Sequence, residues 1–144
     1  MTRGILKLVA AGLFAIAVTA PSFGLERREQ RSVYVSAGRE ARIASYGAPD
    51  ETCKAGPEPE IEVAERPSYG TLTDKFVRIV AERSGVAQRD HPCIGKFIDA
   101  IGVYYHPVAG FRGSDRVRLR VKFAPMPPAA DAAILEEEIF ISVR

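Results

Sequence analysis

"GVYYHPVAGFRGSDRVRLRVKF", residues 102–123, decides the fold class. Val117, Leu119, Val121 and Phe123 put an apolar side chain at every second position. A strand with that period carries all four on one face and Arg116, Arg118, Arg120 and Lys122 on the other. Upstream, Val103 and Tyr105 share a face of a second extended run. Between the runs lies a corner. Pro107 has no N–H to give a ladder, and Gly110 and Gly113 can take positive φ. The stretch reads as two strands and the turn that joins them.

Working outward, strand signals recur on both sides. Val33 and Val35 alternate with polar neighbours in "RSVYVS", and Ala41 and Ile43 in "EARIAS". Residues 46–60, "YGAPDETCKAGPEPE", form a loop, because their prolines and glycines suit neither helix nor central strand. Ile61 and Val63 alternate with glutamates, "RPSYG" turns, and "TLTDKFVRIVAE" carries the next strand or pair. Residues 82–100 have no clean period and read as a long connection. "APMPPAADAA" breaks the chain before "EEEIFISVR", where Ile139, Ile141 and Val143 share a face. A helix competes over "DAAILEEEIF", where Asp131 would cap it, and over "KFVRIVAERSG". The β-branched residues of the first favour a strand at its end. Several short strands separated by turn signals predict an all-β fold: an antiparallel sandwich of two sheets.

The first 24 residues differ from the rest. Arg3 and Lys7 precede an apolar run from Leu8 to Val18, and small residues follow at Ala20, Ser22 and Gly24. That is the order of a secretory signal peptide, and the run is too short for the ~30 Å core of a membrane. Cleavage after Gly24 is preferred to cleavage after Ala20, which would leave Pro21 at the terminus. Residues 25–144 then form a single domain that is periplasmic or secreted. The leader holds two of the 20 basic residues and none of the 18 acidic ones, leaving 18 against 18. A neutral domain offers no general attraction to nucleic acid or anionic membrane. Cys53 and Cys93 are the two cysteines. In an exported chain an even count predicts a disulfide. Closing a loop of that length stabilises by about 4 kcal/mol on the chain-entropy estimate. The competing reading, a metal or redox thiol pair, lacks a C-x-x-C spacing.

"PSYGTL" at 67–72, the stretch at 102–121 and the terminal "IFISV" together resemble a bacterial immunoglobulin-like, cadherin-like module, here in a stand-alone exported form. The resemblance covers about residues 59–143. Its specific part is a corner motif running through Tyr105, Pro107, Gly110, Phe111, Gly113 and Asp115. It implies an immunoglobulin-like sandwich in which Phe111 plugs the corner and Asp115 accepts backbone N–H groups to fix the turn before the following strand. The chain departs from the pattern at Val117 and Leu119, where such modules often carry aromatics, so a buried tyrosine hydrogen bond from that strand is not expected. Clustered calcium ligands are missing as well.

Chemistry is sparse. The row Arg116, Arg118, Arg120 and Lys122 is a candidate binding patch for a polyanion; the alternative is a solvated strand face neutralised by Glu136 and Glu138 across the sheet. A metal site would need Cys53, His91, Cys93 and His106 to converge. No G-x-S-x-G elbow occurs, "GFRG" lacks the features of a phosphate loop, and Glu58/Glu60 and Glu136–Glu138 sit where strand edges need solubility. The expectation is a non-enzymatic exported interaction module with no metal and no cofactor. Its partner would be an envelope protein or polymer. The alternative is an accessory subunit with no ligand of its own.

Overall fold

The computed structural model describes residues 26–86, 89–125 and 131–144. The leader expected at 1–24 lies outside the described residues, as does the proline-rich stretch 126–130. Seven strands run in chain order: β1 (Glu26–Val35), β2 (Ala41–Tyr46), β3 (Glu60–Glu65), β4 (Gly70–Val80), β5 (Phe97–Pro107), β6 (Gly113–Phe123) and β7 (Ala133–Val143). They form a four-stranded sheet, β1-β7-β6-β3, packed on a three-stranded sheet, β2-β5-β4. Every pairing is antiparallel except that of β1 with β7. The sandwich predicted from period-two patterning is therefore present.

Between the sheets lies a continuous core. The row Val117, Leu119, Val121 and Phe123 is fully buried, and faces Tyr46, Val103 and Tyr105 of the other sheet. Apolar burial of this kind stabilises by ~25 cal/mol per Å². In β2 the register shifts between Arg42 and Ala44, a bulge that lets Ile43 and Ala44 both enter the core.

Two element readings are corrected. Residues 97–100 are not part of a connection; they begin β5, paired with Val77–Val80. Their alternation is regular, but Phe97 is exposed and Ala100 buried, so hydrophobicity disguises it. Neither competing helix forms. The first segment is strand from Ala133, and in the second β4 continues to Val80.

A second, smaller cluster sits outside the main core. Ile79, Ala81, Val86, Cys93, Ile98 and Ala100 are buried together, with Cys53 packed on them. Cys53 and Cys93 are joined, with Cα atoms 5.5 Å apart. The disulfide ties the 50–55 loop to the 81–96 loop over the outer face of the β4–β5 hairpin. Cys53 takes a left-handed φ of 67°, which is costly for a residue other than glycine. Asp50 holds that turn: its carboxylate accepts from the backbone N–H groups of Thr52 (2.8 Å) and Lys54 (3.0 Å).

Candidate functional site

The corner motif forms one connected unit. Pro107 is the last residue of β5, and Gly110 and Gly113 take φ of 78° and 138°. Phe111 stacks on Tyr69, with ring centroids 4.4 Å apart. Asp115 is buried, but it does not fix the turn before its own strand. It accepts from the N–H groups of Ser68 (2.9 Å) and Tyr69 (2.8 Å), which lie on the approach to β4 in the opposite sheet. The Arg116 N–H adds 2.8 Å to the same carboxylate. Tyr105 donates its hydroxyl to Asp115 at 2.9 Å. A buried tyrosine hydrogen bond is thus present, supplied from β5 rather than β6. Burial alone would raise the Asp115 carboxyl; these donors outweigh it and hold it below the usual aspartate range. Burial first, then the neighbouring carboxylate, raises the Tyr105 hydroxyl. The unit joins the two sheets, and its chemistry is spent on that junction.

The arginine row lies on the outer face of the four-stranded sheet, and each cation meets a carboxylate. Arg116 contacts Glu65 at 2.6 Å and Glu138 at 3.4 Å; Arg118 contacts Glu138 at 3.4 Å. Arg120 lies 4.0 Å from Glu136, and Lys122 lies 3.5 Å from Glu60. The partners come from both flanking strands, β3 as well as β7. The candidate patch is therefore a charge-balanced lattice. Exposed pairs of this type contribute little to stability.

Sequence reasoning missed the buried acid Glu137, which is 1% exposed. It shares the inward face of β7 with Leu135, Ile139 and Ile141. Tyr46 donates its hydroxyl to Glu137, and Arg31 of β1 pairs with the same carboxylate. Burial, and then Glu137, push the Tyr46 hydroxyl well above its ordinary range. Arg31 also donates to the Ser84 hydroxyl at 2.8 Å, and Arg27 to the Val86 carbonyl at 2.9 Å. These contacts anchor the segment 82–86 across the β1–β2 side. Gly47 N–H donates to the Gly85 carbonyl at 2.8 Å, sealing the end of β2. The signal was available: in the run Glu136–Glu138, period two sends the middle member inward.

The other side of the sandwich differs. Between β3 and β4, the sheet margins left unpaired among the described residues, lies a cleft of about 560 Å³, with Ile61, Val63, Leu72, Ile101, Val103 and Leu119 in its wall and Glu58, Glu60 and Asp74 among its lining. A smaller concavity of about 130 Å³ continues from it past Pro59 and Phe76. The β4–β5 register explains the opening. Leu72 pairs with Tyr105, Asp74 with Val103 and Phe76 with Ile101, so these side chains share the inner face. Arg78/Asp99 and Val80/Phe97 continue that face towards the hairpin tip. Across the gap, β3 spans only Glu60–Glu65. Phe76 and Phe97 are consequently 79% and 63% exposed although they sit on the core-side row. At this end the outer row of the hairpin is covered and the inner row is bare.

His91 is buried beside the disulfide and accepts the Cys93 N–H at Nδ1 (3.2 Å). His106 is exposed at the opposite end of β5, and both sulfurs are consumed by the bridge, so the four residues of the metal reading do not assemble. Among the described residues no three His, Cys, Asp or Glu side chains are grouped to hold a metal ion.

No protein-family model matches the chain, and no curated protein matches it. Among solved structures it is similar to the solution structure of amebosin, at 12% identity and a TM-score of 0.40, over 82% of this chain and 98% of that one. A likeness of that size carries no argument about function.

Proposed function

We propose that the protein is an exported, non-enzymatic interaction module of immunoglobulin-like, cadherin-like type that docks an envelope protein through its β3–β4 side. The observation that carries this reading is the bare inner row of the β4–β5 hairpin. Phe76, Val80 and Phe97 are large apolar side chains left in water beside an apolar cleft. Large exposed apolar patches mark interaction sites. The module type is supported by the corner motif and by the two-sheet layout. Export is supported by the order of residues 1–24 and by a disulfide, which persists in oxidising compartments. A protein suits this surface better than a polyanionic polymer, because the arginine row is already neutralised by Glu60, Glu65, Glu136 and Glu138.

The test is site-specific photo-cross-linking in the native host. A photoreactive residue placed at position 76 or 97 is expected to yield a discrete protein adduct, and one at position 118 none. Adducts from position 118 alone would move the docking face to the arginine row and refute the reading.

A further inference from the structure

The β4 edge carries more information than its hydrophobicity. Among the described residues no strand pairs with this margin of the three-stranded sheet, which runs for 11 residues, Gly70–Val80, without a proline. The facing edge, β3, is six residues long and shifts register between Val63 and Glu65, so it offers a poor template. A strand laid against β4 would meet an inward row of Leu72, Asp74 and Phe76 and an outward row of Thr71, Thr73 and Lys75. Directly opposed side chains on one face interact, and opposite charges there are favourable. Asp74 sits in the middle of the inward row. Glu58 and Glu60 also border the cleft, but Glu60 alternates with the inward Ile61 and Val63 and turns its carboxylate to the outer face, which leaves Asp74 as the carboxylate on the inward row of β4. Lys122 offsets Glu60 at 3.5 Å, from the outer face. Arg78 lies one step beyond Phe76 on the same row, opposite Asp99.

We infer that the occupant is an extended segment of a partner protein that adds as a fourth strand on β4, placing apolar side chains opposite Leu72 and Phe76 and a lysine or arginine opposite Asp74. The inference rests on the docking side proposed above and names the chemistry of the partner there. Main-chain bonds to a sheet edge supply affinity, and alternate side chains supply selectivity. Asp74 performs the selection, because a partner with an apolar or acidic residue at that place would bury or confront an unpaired carboxylate. An inward-pointing charge on an edge strand also guards against self-association. The guard and the selector are separable by experiment.

Two capped synthetic peptides serve as probes, one with the core Val-Thr-Lys-Thr-Val and one with Val-Thr-Glu-Thr-Val, each titrated into the folded protein and followed by amide NMR shifts. The lysine peptide is expected to shift β4 and the cleft residues and to bind about tenfold or more tightly than the glutamate peptide, with the margin shrinking as salt rises. In Asp74→Lys the preference is expected to reverse. Binding of neither peptide, equal binding of both, or shifts confined to the outer face of β6 and β7 would each overturn the inference. Asp74→Asn, which keeps the size of the side chain, is expected to fold as the parent does and to erase the preference, so a misfolded charge-reversal variant leaves the result readable. An adduct at position 76 without peptide selectivity would refute this inference and leave the docking reading intact; absence of the adduct would count against the reading itself.

Discussion

Only a hydrogen atom fits at position 70. A Cβ built on Gly70 would stand 2.2 Å from Cε2 of Tyr105 and 2.8 Å from the His106 carbonyl oxygen. Gly70→Ala is therefore expected to lower stability by about 1–3 kcal/mol or more, the range for forcing atoms into a packed site, measurable as a reduced urea midpoint. The ring that excludes a methyl group there is the one whose hydroxyl reaches Asp115. That carboxylate has its pKa lowered in the folded protein. Its stabilising contribution is thus complete above the unfolded value of ~3.9 and is lost as pH falls through the folded value. Asp115→Asn keeps the shape and removes one acceptor oxygen's charge. Urea unfolding from pH 7 to pH 3 is expected to show the variant less stable at pH 7 by about 1–3 kcal/mol and less steeply dependent on pH below 4. The residue types at this corner were legible in the sequence. The partner of Asp115 was not: Ser68 and Tyr69 are 47 and 46 positions away, and no local pattern carries a contact across the two sheets.

At the scale of elements, legibility followed the match between burial and hydrophobicity. In β6 the two coincide from Val117 to Phe123, so its face and period could be read directly. In β1 they do not. Its inward row holds Arg27, Glu29 and Arg31 before Val33 and Val35, because it faces segment 82–86 and Glu137 rather than an apolar neighbour. The alternation of apolar residues therefore marks only the end of that ten-residue strand, at Val33 and Val35. The start of β5 was hidden for the opposite reason: Phe97 faces water while Ile98 and Ala100 face the disulfide cluster. From sequence the arginine row of β6 fits either a patch or a paired face; its pairing needs β3 as well as β7, a strand order that period two does not reveal. Phe76 and Phe97 were missed as a surface because their row points inward, and only the shortness of β3 leaves them bare.

The molecule as a whole is asymmetric about its core. One side is closed by segment 82–86, which Arg27, Arg31 and the Gly47–Gly85 hydrogen bond hold in place. The other, between β3 and β4, stays open and carries the cleft. The disulfide belongs to the closing apparatus. It joins two loops over the outer face of the hairpin and lies in the smaller cluster, apart from the row Val117–Phe123. Its chain-entropy contribution of about 4 kcal/mol acts on the unfolded chain and so on the whole fold. The bridge also ties the two loops of the smaller cluster directly, and a protein opens in cooperative units rather than uniformly, so that cluster should depend on the bridge more than the sandwich does. Residue-resolved amide hydrogen exchange, with and without reductant, tests this division most directly. The account predicts that reduction speeds exchange at Ile79–Val86, Cys93–Ala100 and Gly47 by a much larger factor than at the paired amides in the centre of β6 and β7, which lose at most the global share. Loss of protection in β6 and β7 in step with the loops, or unchanged exchange at Gly47 and Gly85, would contradict it.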